Sequence, residues 1–369
     1  MAKHSLYPSE HSLRRDAATG AVIHQMTSQP CINHATYFLQ SSFTPDGRNL
    51  LFCSYRTGAA QLFEAGFPGG DIRQLTEGPA IHPFSAAIHP SGESIFFVRA
   101  NAILELNRHT LEERTVVSFE GGQLGECSPD PRGEWLTAAI KLGAQTGIVA
   151  GRADGTQWTL IPFPRTVIHP QFHPLDPEWI EFSGDPAPRM HRVKRDGSAL
   201  ECLYHHGNDE FVVHETFLGG TGDIVFTVWP YALRRLNWQT REITTIADFN
   251  AWHITPNREG TAVLCDTNHP DRGIFLIDAA TGVRRHVCLS ESSNQGSQWL
   301  TSRYALKEDF DRARSGAKSG ALSWMEVAVD TVYGPQWTHP HPSFSADETR
   351  VAFASDRTGH PQVYVAELA

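Results

Sequence analysis

Residues 41–54 read SSFTPDGRNLLFCS: a short apolar segment, a tight polar turn and then an apolar strand. The same unit recurs with different letters, most clearly as AAIHPSGESIFFVR at 86–99 and PSFSADETRVAFAS at 342–355. A polar turn between two strand-forming segments is typical of a β-hairpin. Because the hairpin is repeated, the sequence predicts a repeat architecture made of β-strands.

Seven copies of this unit align on the last residue before the turn. These anchor residues lie 45, 39, 45, 45, 39 and 88 positions apart, at Phe43, Ile88, Cys127, Phe172, Phe217, Pro256 and Phe344. A step of about 40–45 residues is the length of a four-stranded propeller blade. The doubled last step indicates an insertion at about 290–335, between blades six and seven. The sequence therefore predicts an all-β fold, a seven-bladed β-propeller that forms a single domain over residues 1–369.

The two ends of the chain are predicted to share one blade. After the last anchor the chain has only enough residues for three strands. The segment DAATG occurs at 16–20 and again at 278–282, where it fits the outer hairpin turn of blade six. We therefore expect AVIHQMT, at 21–27, to supply the missing outer strand of the last blade. Closing the ring in this way leaves no blade with an unpaired strand edge at the junction.

Composition and charge exclude several classes of protein. The net charge of −10, the pI near 6.0 and the lack of any run of Lys or Arg argue against nucleic acid as a partner. Six cysteines without a CxxC pair indicate reduced thiols, and no secretion signal or apolar stretch of membrane-spanning length is present, so we expect a cytoplasmic protein. No GxSxG, Gly-rich phosphate loop or HExxH motif occurs, which disfavours serine hydrolase and nucleotide chemistry.

Histidine is concentrated at one position of the repeat. Residues at the same offset from the anchor should lie at similar height around the channel, and three positions before each anchor stand Gln40, Ser85, Leu124, His169, His214, His253 and His341. The four histidines belong to neighbouring blades, and His339, two residues before His341, lies on the same face of an extended strand. Imidazoles on one face can share a metal ion. We therefore predict that His253, His339 and His341 bind a metal, and we assign His169 either to substrate contact or to the structure of the channel.

Several segments resemble oligogalacturonate lyases, polysaccharide lyase family 22. The most specific is QWTHPHPSFSADETRVAFASDRTG at 336–359, which is similar to the C-terminal blade of that family. NHATYFLQSSFTPDGRNLLF at 33–52 resembles the first blade, and the shorter segments IHPQFHP, APRM, VVHETF and WHITPNREG follow in the family's order. The resemblance covers most of the chain. It departs from the family at His34-Ala35, where a basic residue is expected after the histidine, and in the insertion before blade seven.

The resemblance implies a set of site residues. In the family a manganese ion is held by three histidines and a glutamine, which match His253, Gln336, His339 and His341. The general base of the family matches His214 and its substrate-binding arginine matches Arg189. Further candidate substrate contacts are His169, Gln40 and His34.

The function implied is a metal-dependent lyase that cleaves short oligogalacturonates by β-elimination, giving unsaturated or 4-deoxy-5-keto uronate products. The cofactor implied is a divalent metal, with Mn²⁺ resting on the resemblance, and the partner is a small oligouronide. Two alternatives stay open: a non-catalytic TolB-like propeller that binds a protein partner, and a metal-dependent hydrolase or lactonase on the same scaffold. The sequence does not predict the oligomeric state.

Overall fold

The structure is a computed structural model that describes residues 2–207, 209–268, 270–294 and 336–368. These residues form thirty strands in seven antiparallel sheets, and two short 3-10 turns at Gly219–Thr221 and Gln336–Thr338. The seven sheets are the predicted blades, so the predicted all-β propeller is confirmed. Most of the insertion expected at about 290–335 lies outside the described residues. Within the described part of the chain, no helix is long and apolar enough to cross a bilayer.

Blade I has five strands, in the order β1-β7-β6-β5-β4. They are β1 (Leu6–Tyr7), β4 (Asn33–Ala35), β5 (Asn49–Ser54), β6 (Gln61–Gly66) and β7 (Ile72–Gln74). Blade VII also has five strands, in the order β2-β3-β30-β29-β28. They are β2 (Ser12–Arg15), β3 (Val22–Gln25), β28 (Ser343–Phe344), β29 (Arg350–Ser355) and β30 (Gln362–Glu367).

Blades II to VI are four-stranded meanders in which each strand pairs with the next along the chain. Blade II is β8 (Ala87–Ile88), β9 (Ser94–Arg99), β10 (Ala102–Asn107) and β11 (Glu113–Ser118). Blade III is β12 (Gly122–Pro129), β13 (Trp135–Leu142), β14 (Gln145–Arg152) and β15 (Thr159–Phe163). Blade IV is β16 (Thr166–Phe172), β17 (Trp179–Asp185), β18 (Met190–Lys194) and β19 (Glu201–Cys202). Blade V is β20 (Val212–Phe217), β21 (Ile224–Val228), β22 (Ala232–Leu236) and β23 (Ile243–Ala247). Blade VI is β24 (Ile254–Pro256), β25 (Ala262–Cys265), β26 (Ile274–Asp278) and β27 (Arg284–Cys288).

The ring closes through the predicted N-terminal strand. β3 pairs antiparallel with β30, with Ile23 opposite Ala366 and Gln25 opposite Tyr364. The prediction that the segment 21–27 completes the last blade is thus confirmed. The structure adds two strands that the sequence analysis did not predict: β2 extends blade VII beyond β3, and β1 extends blade I beyond β7.

The apolar core lies between the blades. Among the described residues there are seven buried apolar clusters, and each joins two neighbouring sheets, including blades VII and I. Alternate side chains of a strand point to opposite faces, so one strand serves two clusters. Phe97 packs in the cluster between blades I and II, whereas Phe96 packs in the cluster between blades II and III. The apolar strands of the repeat are therefore buried on both faces and hold the blades around the channel.

The outer hairpin turns are stabilised by side-chain acceptors. In both copies of DAATG the aspartate Oδ1 accepts the backbone N–H groups two and three residues later, with Asp16 bonded to Ala18 and Thr19. Asn107 and Asn237 form the same turn in blades II and V. Such Asx turns explain why the turn signals could be located from the sequence. All six cysteines are unpaired, as expected.

Candidate metal centre and active site

The four histidines selected by their offset lie where the inner strands begin. His169 is in β16 and His214 is in β20, while His253 immediately precedes β24 and His341 lies two residues before β28. All four are buried. The ring centroids are 6.2 Å apart for His169 and His214, 4.5 Å for His214 and His253, and 3.9 Å for His253 and His341. The structure thus brings these side chains from four blades together near the end of the channel at which the inner strands begin.

Three of these histidines have an unusual backbone. His169, His214 and His341 have φ angles of 57°, 56° and 45°, in the left-handed region that non-glycine residues rarely adopt. In blades IV and V the pairing register shifts at this point, which marks a β-bulge in the inner strand. A bulge changes the direction in which a side chain points. A non-glycine residue held in the left-handed region costs about 1–3 kcal/mol. Blades IV and V thus orient their imidazoles at the expense of regular pairing, and His341 has the same backbone conformation at the same offset in blade VII.

The structure groups His253, His339 and His341 as a candidate metal site. One potential ligand nitrogen from each lies within 4.8 Å of the others, and the three side chains are at most 1% exposed. Two ligands on an ion with bonds of about 2.1 Å can be about 4.2 Å apart, so little movement closes the set around one cation. Nδ1 of His341 is buried and has no hydrogen-bond partner among the described residues. The donor set, its burial and this unpaired nitrogen fit a divalent metal.

The protonation states suit metal binding. Burial lowers the pKa of His253 and of His341 well below the ordinary value, and the neighbouring imidazoles lower both further. Each ring is therefore neutral at neutral pH. Neutral imidazole is the form that ligates metals.

Gln336 begins the 3-10 turn that leads into His339 and His341. Its backbone carbonyl oxygen lies 3.2 Å from Nε2 of His341. The turn holds Gln336 next to the cluster and brings the two histidines of blade VII to the channel. That its side-chain oxygen is a metal ligand remains a prediction.

His214 lies beside the candidate metal site in an apolar surrounding. Its ring centroid is 4.4 Å from that of Trp252 and 5.2 Å from that of Phe38. Burial and the neighbouring imidazoles of His253 and His169 lower its pKa well below the ordinary value. Its Nδ1 is buried without a hydrogen-bond partner among the described residues. His214 is thus a neutral imidazole that can accept a proton, as the resemblance requires of a base.

Arg189 is held by two carboxylates. Nε and one terminal nitrogen contact the two oxygens of Glu215 at 2.9 and 3.2 Å, and the other terminal nitrogen contacts Asp185. Burial alone would raise the pKa of Glu215, but Arg189 and the Ser183 hydroxyl hold it at about 2. Glu215 follows His214 in β20, so the same strand carries the candidate base and fixes the guanidinium. These two acidic partners were not predicted from the sequence.

The three candidate substrate contacts lie in different places. Nε2 of His169 is 2.9 Å from the Tyr37 hydroxyl, so His169 faces the histidine cluster. His34 is 1% exposed, stacks on Phe84 at 4.4 Å and contacts its neighbour's carbonyl through Nδ1. Gln40 lines a separate cavity at the opposite end of the channel, where the inner strands end. Its side-chain nitrogen lies 3.5 Å from the hydroxyl of Ser128. Gln40 is therefore not among the side chains that the structure brings to the candidate site.

The reason for this displacement is an irregular segment in blade I. Between β4 and Phe43, residues 36–42 form a turn rather than a continuous inner strand. This turn places Phe38 across the channel, with its ring centroid 5.2–5.5 Å from those of His169, His214 and His253. Phe38 separates the histidine cluster from the cavity that Gln40 lines. The adjacent aromatic residues in ATYFLQ, which break the strand alternation, are the sequence signal that marks this turn.

The chain is similar to known proteins along its whole length. A family model described as oligogalacturonate lyase matches residues 1–128. An oligogalacturonide lyase of Pectobacterium atrosepticum is 23% identical, covering 100% of this chain and 98% of the relative, and an oligogalacturonate lyase of Dickeya dadantii is 22% identical, covering 96% and 95%.

Two solved structures share the fold. An oligogalacturonate lyase in complex with manganese superposes with a TM-score of 0.83 at 20% identity, covering 100% of this chain and 99% of the other. The oligogalacturonate lyase of Vibrio parahaemolyticus gives a TM-score of 0.81 at 20% identity with the same coverage. Both comparisons confirm the propeller. The chain is thus similar over its full length to oligogalacturonate lyases, as the resemblance in its sequence implied.

Proposed function

We propose that this protein is a metal-dependent lyase that cleaves short oligogalacturonates by β-elimination. The observation that carries the proposal is the convergence of three neutral, buried imidazoles on one point, with a fourth neutral imidazole, His214, in contact with them. A metal site beside a base is what proton abstraction next to a carboxylate requires. The activity named for the relatives over their full length supports the same reaction class.

The metal would be held by His253, His339 and His341, with the side chain of Gln336 as a fourth ligand. When bound, a divalent cation neutralises a uronate carboxylate and makes the adjacent C5 proton more acidic. We propose Mn²⁺ because a structural relative is described in complex with manganese. Manganese prefers oxygen ligands over imidazole, so the glutamine oxygen and a substrate carboxylate would favour it.

His214 is proposed to take the C5 proton. It needs no deprotonation step of its own, since its pKa lies well below the ordinary value. Positioned acid–base groups contribute about 10²–10⁴-fold to rate. The rings of Trp252 and Phe38 pack against its imidazole and limit the access of water to it.

Arg189 is proposed to bind a substrate carboxylate. Its guanidinium plane is fixed by the paired contacts to Glu215 and by Asp185, so its orientation is set before substrate arrives. A planar guanidinium matches a carboxylate in a way that lysine does not. His169, beside Tyr37, and the buried His34 are proposed to complete the binding site on the blade I side.

The C4–O bond breaks as the C4=C5 double bond forms, which leaves a 4,5-unsaturated uronate. The leaving saccharide oxygen takes up a proton to become a hydroxyl, which balances overall the proton that His214 removes from C5. No nucleophile or attacking water is needed. We further propose that the protein works in the cytoplasm on small oligouronides, in keeping with its six unpaired cysteines.

The test is to incubate the purified protein with Mn²⁺ and digalacturonate or trigalacturonate, and to follow the ultraviolet absorbance of the conjugated product. Substitution His214→Ala should lower kcat at least 100-fold while manganese binding persists. His109→Ala, at a side chain 63% exposed in the turn between β10 and β11, is the matched control and should keep full activity. Cleavage without a conjugated product would indicate a hydrolase or lactonase. Absence of both cleavage and metal binding would favour a binding propeller.

A further inference from the structure

One buried carboxylate links the candidate ligands of blades VI and VII. Asp266 directly follows β25 and is fully buried. Its Oδ2 lies 2.7 Å from Nδ1 of His253, and its Oδ1 accepts the backbone N–H of His253, also at 2.7 Å. The backbone N–H of His341 donates to the same carboxylate. Asp266 therefore contacts one candidate ligand through its ring and its backbone, and a second through its backbone.

These contacts determine the tautomer of His253. Burial raises the pKa of Asp266 to about 7, while the backbone N–H groups that donate to it favour its ionised form. In that form the carboxylate can only accept hydrogen bonds, so the Nδ1 of His253 that faces it carries the proton. Nε2 of His253 then presents a lone pair toward His339 and His341. The backbone also supports the arrangement, because the N–H of Asp266 donates to the carbonyl of His253 at 3.3 Å and the N–H of Trp252 donates to the carbonyl of Asp266 at 3.0 Å.

We infer that Asp266 is a positioning residue for the metal centre: it fixes His253 in its ligating tautomer and sets the distance between the blade VI and blade VII ligands. This inference rests on the proposed function only in that the three histidines bind a metal. A carboxylate behind a ligating histidine orients the ring and raises its basicity. None of the motif positions selected from the sequence includes this residue.

The substitution Asp266→Asn separates this role from a purely structural one. Asparagine has nearly the same volume and keeps one acceptor oxygen. If that oxygen faces the backbone N–H groups, the amide NH₂ faces Nδ1 of His253, and Nδ1 must then become an acceptor. The proton moves to Nε2, which can no longer bind a cation. If the amide is flipped, its oxygen still accepts from Nδ1 of His253, but its NH₂ group opposes the backbone N–H groups of His253 and His341, so the link between the two blades is lost.

The experiment is a titration of metal-free protein with MnCl₂ alone, measured by calorimetry and by the electron paramagnetic resonance signal of free Mn²⁺, without any uronide. We expect Asp266→Asn to weaken manganese binding about 10–100-fold, the range for lost partners of this kind. The matched control is Asp223→Asn. Asp223 is 6% exposed and accepts the backbone N–H of Trp238 and the Nε–H of Arg235 in blade V, so its loss should lower stability without changing manganese affinity.

The outcomes are distinguishable. If the wild type binds no manganese, the metal site of the proposed function fails, and this inference fails with it. If the wild type binds manganese and Asp266→Asn binds it within threefold of the same affinity, only the positioning role is refuted. Should Asp266→Asn not fold, the imidazole ¹⁵N shifts of metal-free wild type decide the question: a protonated Nδ1 in His253 supports the inference, and a protonated Nε2 overturns it.

Discussion

Replacing Phe38 by alanine should damage both the stability of the propeller and its metal site. The Phe38 side chain is 1% exposed, and its ring contacts the imidazoles of three blades. Removal of a buried phenylalanine ring costs about 3–5 kcal/mol of unfolding free energy. With an unfolding entropy of about 2.1 cal/mol/K per residue, a chain of 369 residues has about 0.8 kcal/mol/K in total, so the midpoint temperature should fall by about 4–6 °C.

The same substitution should also weaken manganese binding, because the imidazoles lose the surface that packs against them in the channel. Phe97→Ala is the matched control, since Phe97 is fully buried between blades I and II, away from the histidines. Both variants should lose similar stability by calorimetry, whereas only Phe38→Ala should lose manganese affinity in a titration. Equal affinity in the two variants, or a loss of less than 1 kcal/mol at Phe38, would show that this ring does not support the site.

Three further outcomes are expected. Manganese at a hundredfold excess over its Kd should stabilise the wild type by about 2.7 kcal/mol, or about 3–4 °C in the melting midpoint, and His339→Ala should show no such shift. Burial lowers the pKa of His34 to about 4 in the folded protein, whereas the unfolded chain takes up a proton at His34 below about pH 6.5. The stability that neutral His34 contributes is therefore complete above about pH 6.5 and is lost as the pH falls toward 4. His34→Phe removes this protonation, so the difference in the free energy of unfolding between wild type and variant should shift in favour of the variant by up to about 1.4 kcal/mol per pH unit from about pH 6.5 down to about pH 4. Urea unfolding measures it, and free energies that fall in parallel with pH would contradict the prediction. Tyr37→Phe removes the hydroxyl that contacts His169 and should raise KM for digalacturonate while leaving manganese affinity unchanged; an unaltered KM would argue that His169 does not touch substrate.

The blade pattern was visible in the sequence because each blade repeats the same local requirements. A strand buried on both faces needs a run of apolar residues, and its hairpin needs turn residues at fixed places, as in LLFCS after PDG in blade I. The constant step between anchors then located the inner strands. The concentration of histidines at one offset followed from the same geometry, because equivalent positions of neighbouring blades meet at the channel.

Other features depend on contacts that no repeat dictates. The turn at 36–42 breaks the register of blade I, so the offset that located His214 placed Gln40 on the wrong side of Phe38. Asp266 and Glu215 do not lie at the histidine offset of the repeat. Their roles depend on hydrogen bonds to residues distant in sequence, Asp266 to His253 and Glu215 to Arg189, which no local pattern reveals. The short outer strands β1 and β2 have few apolar residues and form by pairing with an edge that is already present, so no local pattern predicts them.

The pairing of β3 with β30 has a consequence for the order in which the protein is assembled. β30 is synthesised after every other described strand, yet it is the strand that joins β29 to β3 within one sheet. A growing chain that lacks it leaves β3 without a partner on that side and leaves His339 and His341 without the completed blade that supports them. The candidate site should therefore form only after β30 has been synthesised, and chains that stop before β30 should expose strand edges for chaperones or proteases to engage.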